Sequence, residues 1–133
     1  MRVLPRRVTS VVVASVVAVI GTLTLAVGSS SAAESCNPYT QGTLHFRVCI
    51  EPIGNSIWGT AYNDGGGTMN GHLELFKGAE PGASKFGTNG CTGSITSGNL
   101  CSYEWNPSTF NSYWHVSWVG NGGVYYKSPQ IFD

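Results

Sequence analysis

The sequence predicts an all-β protein, a small disulfide-stapled antiparallel β-sandwich or small barrel that follows an N-terminal signal peptide. Three observations carry the prediction. Beyond residue 33 the apolar residues alternate with polar ones in short runs, and no run repeats with the 3.6-residue period of a helix. Clusters of Gly, Pro, Asn and Ser interrupt these runs about every 10 to 15 residues, the spacing of strands in a sandwich or barrel. Four cysteines lie behind a leader of the export type, the setting in which cysteines pair.

The leader comes first along the chain. Arg2, Arg6 and Arg7 precede a run from Val8 to Val27 made mostly of Val, Ala, Leu and Thr, and Ser31-Ala32-Ala33 places small residues at −3 and −1 of a cleavage after Ala33. The alternative is an uncleaved anchor, since about 20 weakly polar residues suffice to span a bilayer. Gly21, Thr22 and Thr24 dilute the run and favour processing. Residues 1–33 are therefore assigned to the signal peptide and 34–133 to a single β-sandwich domain. That domain carries four Lys/Arg against seven Asp/Glu, a formal charge of −3. Four scattered cations on a weakly acidic surface give no attraction for phosphate backbones or anionic lipid, so nucleic acid and membrane are excluded as partners after cleavage.

The first strand expected is Thr43 to Ile50, where Leu44, Phe46, Val48 and Ile50 alternate with His45, Arg47 and Cys49; Pro52 ends its pairing. Ile57 to Asn63 follows, with Trp58, Thr60 and Tyr62 on one side and Ile57 and Ala61 on the other. Asp64, Gly65, Gly66 and Gly67 then open a flexible loop or wide turn reaching Gly71, because consecutive glycines lose backbone entropy and pack nothing. His72 to Lys77 is a third strand, and Pro81-Gly82 turns the chain. Phe86 to Thr88 is a short edge strand. Cys91 to Cys101 is a stapled loop or loose hairpin, and Ser102 to Trp105 is a strand with Tyr103 and Trp105 on one face. The run from Tyr113 to Lys127 is a hairpin closed on an Asn121-Gly122 type I′ turn. In that register Val119 faces Val124, Trp118 faces Tyr125 and Ser117 faces Tyr126, so Tyr125 shares a side with Trp114, Val116 and Trp118.

Three pairings of Cys36, Cys49, Cys91 and Cys101 are formally possible. Cys36–Cys49 with Cys91–Cys101 closes the shortest loops, each worth about 3 kcal/mol by chain entropy. The first bridge is expected to lay the N-terminal segment over the outer side of the sheet. With RVCI in an early strand and YYKSP near the end, the chain resembles small exported proteins of actinomycete-type bacteria, a likeness of general design that implies no activity.

The residues offer little catalytic chemistry. His72 and Glu74, two apart on a strand, project from one face and form the best acid–base pair, yet no third group or nucleophile is placed beside them. No G-x-S-x-G elbow, C-x-x-C pair or metal-type histidine spacing is present, and neither a cofactor nor a metal is expected. Aromatic residues are the stronger signal. Trp58, Tyr62, Trp105, Trp114, Trp118 and Tyr125 exceed what one inner layer needs, so some are expected on an outer face as a contact surface. The function expected is that of a small secreted, extracellular, monomeric and non-catalytic binding protein, acting on a polysaccharide or protein through that face, through Asp64 to Gly67, or through the stapled loop. The alternatives are an inhibitor of an extracellular hydrolase, a hydrolase using His72 and Glu74, and a structural cell-surface protein.

Overall fold

In the computed structural model, residues 33–133 are described; the expected signal peptide lies outside them except for Ala33. The described residues form nine strands: β1 (Ser35–Gln41), β2 (Leu44–Ile53), β3 (Ser56–Gly65), β4 (Met69–Lys77), β5 (Ser84–Ile95), β6 (Leu100–Trp105), β7 (Tyr113–Gly120), β8 (Tyr125–Lys127) and β9 (Ile131–Phe132). They build two antiparallel sheets. One has the order β1-β2-β3-β6, and the other β5-β4-β7-β8 with β9 also on β7.

Alternation decides what lies between the sheets. Phe46, Val48 and Ile50 of β2, with Ile57 and Ala61 of β3, face Leu73 and Leu75 of β4 and Trp114, Val116 and Trp118 of β7. Burying each such side chain stabilises the fold by roughly 1.5–3 kcal/mol. The layers also meet closely at Gly59, where a Cβ would stand 2.8 Å from a Val116 methyl of the opposing sheet and 2.9 Å from the Trp105 ring. A glycine in mid-strand is the condition for that approach.

Both disulfides form as expected, Cys36–Cys49 and Cys91–Cys101. They do different work. Cys36 lies directly opposite Cys49 across β1 and β2, so the N-terminal segment joins the sheet in plane as its edge strand and does not lie over the outer side. Cys91–Cys101 ties β5 to β6 and thereby clamps one sheet to the other; the segment is a crossing between sheets, not a hairpin. At the opposite side, Asn37 Nδ2 and Tyr39 Oη both donate to the Lys127 carbonyl, at 3.0 and 2.6 Å, joining edge β1 to edge β8.

Three further expectations are corrected. The glycine-rich stretch is no flexible loop: β3 runs through Gly65 and β4 begins at Met69, leaving Gly66 to Thr68 as the connection. The edge strand expected at Phe86–Thr88 is the 12-residue β5, whose Gly-rich sequence is held by pairing to β4 across two irregularities. The last hairpin is shifted by one residue. Val119 pairs with Tyr125, Trp118 with Tyr126 and Ser117 with Lys127. Its loop has three residues, since Gly120 N–H donates to Val124 O and Gly123 N–H to Gly120 O, with Gly123 at φ +80°. A left-handed glycine after the turn is the device that closes a three-residue hairpin loop. The slip exchanges faces, so Tyr126 packs inward on Phe46 and Tyr39 while Tyr125 points outward and is half exposed.

Candidate functional site

The strand pairings bring four connections to one end of the sandwich: Gly42–Thr43, Gly66–Thr68, Thr96–Asn99 and Asn121–Val124. Loops gathered at one end of a rigid sandwich are a common place for recognition. Between them opens a concavity of about 260 Å³. Phe46, Met69 and Trp118 are its buried floor, and the half-buried Tyr126 stands beside them. Gln41, Thr68, Asn70 and Asn121 form an exposed rim of amides and a hydroxyl. Among the described residues, no charged side chain lines it.

Asn63 positions the loops. This buried side chain sits on the inward face at the end of β3 and donates from Nδ2 to Gly67 O and Ile95 O, each at 2.8 Å, while Oδ1 accepts from Gly65 N–H at 2.9 Å. Its main chain bonds to the crossing as well, with Asn63 N–H donating to Asn99 O and Gly98 N–H donating to Asn63 O. One side chain therefore satisfies three backbone groups at the connection, Gly65 N–H, Gly67 O and Ile95 O. Asp64 adds a second tie through Arg47, whose Nε and Nη2 reach its carboxylate at 2.8 and 3.0 Å. The guanidinium's hydrogen bond draws the Asp64 carboxyl below its ordinary range. Gly66 has no room for a Cβ, which would fall 1.7 Å from Thr43 O.

The aromatic residues expected at a surface divide between core and exterior. Trp105, Trp114 and Trp118 are buried at 5 %, 0 % and 2 % exposure, because their inward positions face the opposing sheet. Of these, Trp118 alone lines the end concavity. Trp58 and Tyr62 lie on the outer face of the four-stranded sheet and are half-buried. Tyr62 is no free platform: Arg47 covers its ring at 4.2 Å, and its hydroxyl donates to Glu34. Burial, followed by the Glu34 carboxylate, raises the Tyr62 pKa. Glu34, Cys36 and Cys49 also approach one another, but the two sulfurs are joined in a disulfide and carry no thiolate for a metal.

His72 and Glu74 do meet. His72 Nε2 lies 2.6 Å from Glu74 Oε2, and Lys85 Nζ is 3.9 Å from the same oxygen. They stand on the outer face of the five-stranded sheet. A shallow concavity of about 290 Å³ is lined by His72 together with Asn70, Gly71, Thr92 to Ser94 and Asn121, and Glu74 is not part of its lining. Reasoning from the sequence missed Gln41, Asn70 and Asn121 as rim residues and Asn63 as their organiser. The available signal was an Asn-Asp pair ahead of three glycines, an arrangement that hydrogen-bonds its own backbone.

Comparison with protein-family models, with curated proteins and with solved structures finds no match for the chain.

Proposed function

We propose that the protein is a small exported, non-catalytic binding module whose loop end takes an uncharged sugar unit of a polysaccharide. The uncharged lining of the end concavity carries the reading: the half-buried Tyr126 ring, backed by buried Phe46 and Trp118, under a rim of Gln41, Asn70 and Asn121. Rings stack on the apolar face of a sugar, and amides both donate to and accept from its hydroxyls. A single concavity suits a chain end or branch better than a flat run of the polymer. Two disulfides agree with an oxidising, extracellular setting.

The test is depletion of the disulfide-bonded 34–133 chain from solution by insoluble neutral and acidic polysaccharides. Neutral polymers are expected to retain it, with tryptophan fluorescence changing on addition of soluble fragments and that change lost in Trp118→Phe. Asn121→Ala and Gln41→Ala are each expected to weaken retention about tenfold, the worth of about one hydrogen bond pair. Retention unchanged in both variants, or abolished by Trp58→Ala alone, would refute the loop-end assignment.

One observation favours a protein target instead. The Thr96–Asn99 crossing is clamped by Cys91–Cys101 and bonded to Asn63, and Leu100 beside it is 54 % exposed. A pre-ordered loop loses little entropy on docking, as an inhibitor requires. Capture of an extracellular hydrolase by the chain, abolished by Leu100→Asp and indifferent to Asn121→Ala, would establish that reading.

A further inference from the structure

A second site, separate from the loop end, lies on the outer face of the five-stranded sheet. The β4–β5 connection crosses this face as a strap: Glu80 N–H donates to Gln130 Oε1 at 2.9 Å, and the Glu80 carboxylate bonds Lys127 Nζ at 2.5 Å. Under the strap is a groove of about 220 Å³. Its walls are Phe76, Pro81, Ala83 and Tyr125, and its floor is His115 and Ser117. The Phe76 ring stacks flat on the His115 imidazole, 3° from parallel at 4.9 Å, and Tyr125 meets Phe76 edge-on at 5.9 Å.

The floor holds two buried polar atoms without partners. Ser117 is 0 % exposed and its Oγ makes no hydrogen bond; His115 is 2 % exposed and its Nδ1 makes none either. Glu80 Oε2 is 3.4 Å from that nitrogen, near enough to attract it but misaligned for a hydrogen bond. Buried groups of this kind are seldom left unmet in native proteins. The two charges at the groove, Glu80 and Lys127, pair with each other, which leaves the groove without an uncompensated charge.

We infer that this groove binds a phenolic ring, with the ring held among Phe76, Pro81 and Tyr125 and its hydroxyl meeting Ser117 Oγ and His115 Nδ1. A phenol hydroxyl donates once and accepts once, which matches one hydroxyl and one neutral imidazole nitrogen. The size agrees, since an apolar cavity of about 150 Å³ holds benzene and this groove leaves room for a substituent. The ring's source is a free small phenol or a tyrosine side chain of a polypeptide.

The test titrates the disulfide-bonded 34–133 chain with 4-methylphenol, toluene, benzoate and N-acetyltyrosinamide, followed by the His115 and Tyr125 side-chain resonances. The phenol is expected to bind with a Kd of about 1 mM or tighter, within reach of a ligand of its size. Toluene and benzoate are expected to bind about tenfold more weakly. Ser117→Ala should erase the difference between phenol and toluene while melting no lower than the parent, because it removes an unpartnered buried hydroxyl. Tighter binding of N-acetyltyrosinamide than of 4-methylphenol assigns the ring to a polypeptide, and the reverse assigns it to a small molecule. Equal affinities for phenol and toluene, or an unchanged preference in Ser117→Ala, overturn the inference. Loss of polysaccharide binding leaves it untouched, since the two sites share no lining residue.

Discussion

Replacing Asn63 by alanine tests whether one buried amide holds the loop end together. The substitution removes two bonds from Nδ2 and one to Oδ1, and it strips partners from Ile95 O, Gly67 O and Gly65 N–H. Only the bond to Ile95 O is fully buried, so that carbonyl is left without water while the other two groups regain part of their hydration. An unmet buried group costs about 1–3 kcal/mol and a half-hydrated one less, which puts the loss at about 2–4 kcal/mol. A domain of this size has about 5–15 kcal/mol in all. With a urea m-value of about 1 kcal/mol/M, the low end of the range for small domains, the midpoint falls by about 2–4 M. Equilibrium urea unfolding with the disulfides intact measures it. Asn63→Asp is expected to fare worse, because it keeps the acceptor for Gly65 N–H but turns a carboxylate on two carbonyl oxygens. A midpoint shift below about 0.5 M for Asn63→Ala would show that the glycine connection orders itself, and the account of the loop end would fail.

Gly59→Ala is expected to destabilise by about 1–3 kcal/mol through overpacking against Val116 and Trp105, measured by the same unfolding curve. Removing Cys91–Cys101 by paired Cys→Ala substitution should cost stability comparable to removing Cys36–Cys49, about 3 kcal/mol each by loop length, yet it alone should raise amide exchange at Thr96–Asn99, because only this bridge joins the two sheets. Burial holds the His115 pKa below its ordinary 6.5, so the unfolded chain takes up a proton that the folded one refuses. Stability is therefore expected to fall as pH drops below about 6.5 toward that lowered folded value, a slope that His115→Gln flattens in pH-dependent thermal melts. At lower pH the Arg47–Asp64 pair acts in the same direction. The Asp64 carboxyl is depressed below 3.8 by its hydrogen bond from Arg47, so its contribution is present above 3.8 and lost as pH falls through the folded value; Arg47→Met should remove that further decline.

Much of this architecture can be read from the residues in order. Leu44 to Ile50 and Ile57 to Asn63 alternate so regularly that their inward and outward faces follow from the period alone, and strand spacing with Gly-rich breaks leads to layered sheets. The cysteine pairs follow from their clustering, because each partner lies within 13 residues of the other. These are local properties, set by the pleat of a strand and the length of a loop. The histidine–glutamate contact was legible on the same ground: residues two apart share a face.

What the tertiary structure alone decided is wherever a face or a partner depends on a distant segment. Asn121-Gly122-Gly123 is compatible with a two-residue or a three-residue loop, and the choice reverses Tyr125 and Tyr126; packing of Tyr126 on Tyr39 and Phe46, far away in sequence, goes with the longer one. Trp105, Trp114 and Trp118 look identical to surface aromatics until the second sheet covers them. Asn63 reads as a turn residue, yet its partners include a carbonyl 32 positions further on. The period of a strand is written in neighbouring residues, whereas burial is a relation between strands, and only the assembled sheets supply the second member of that relation.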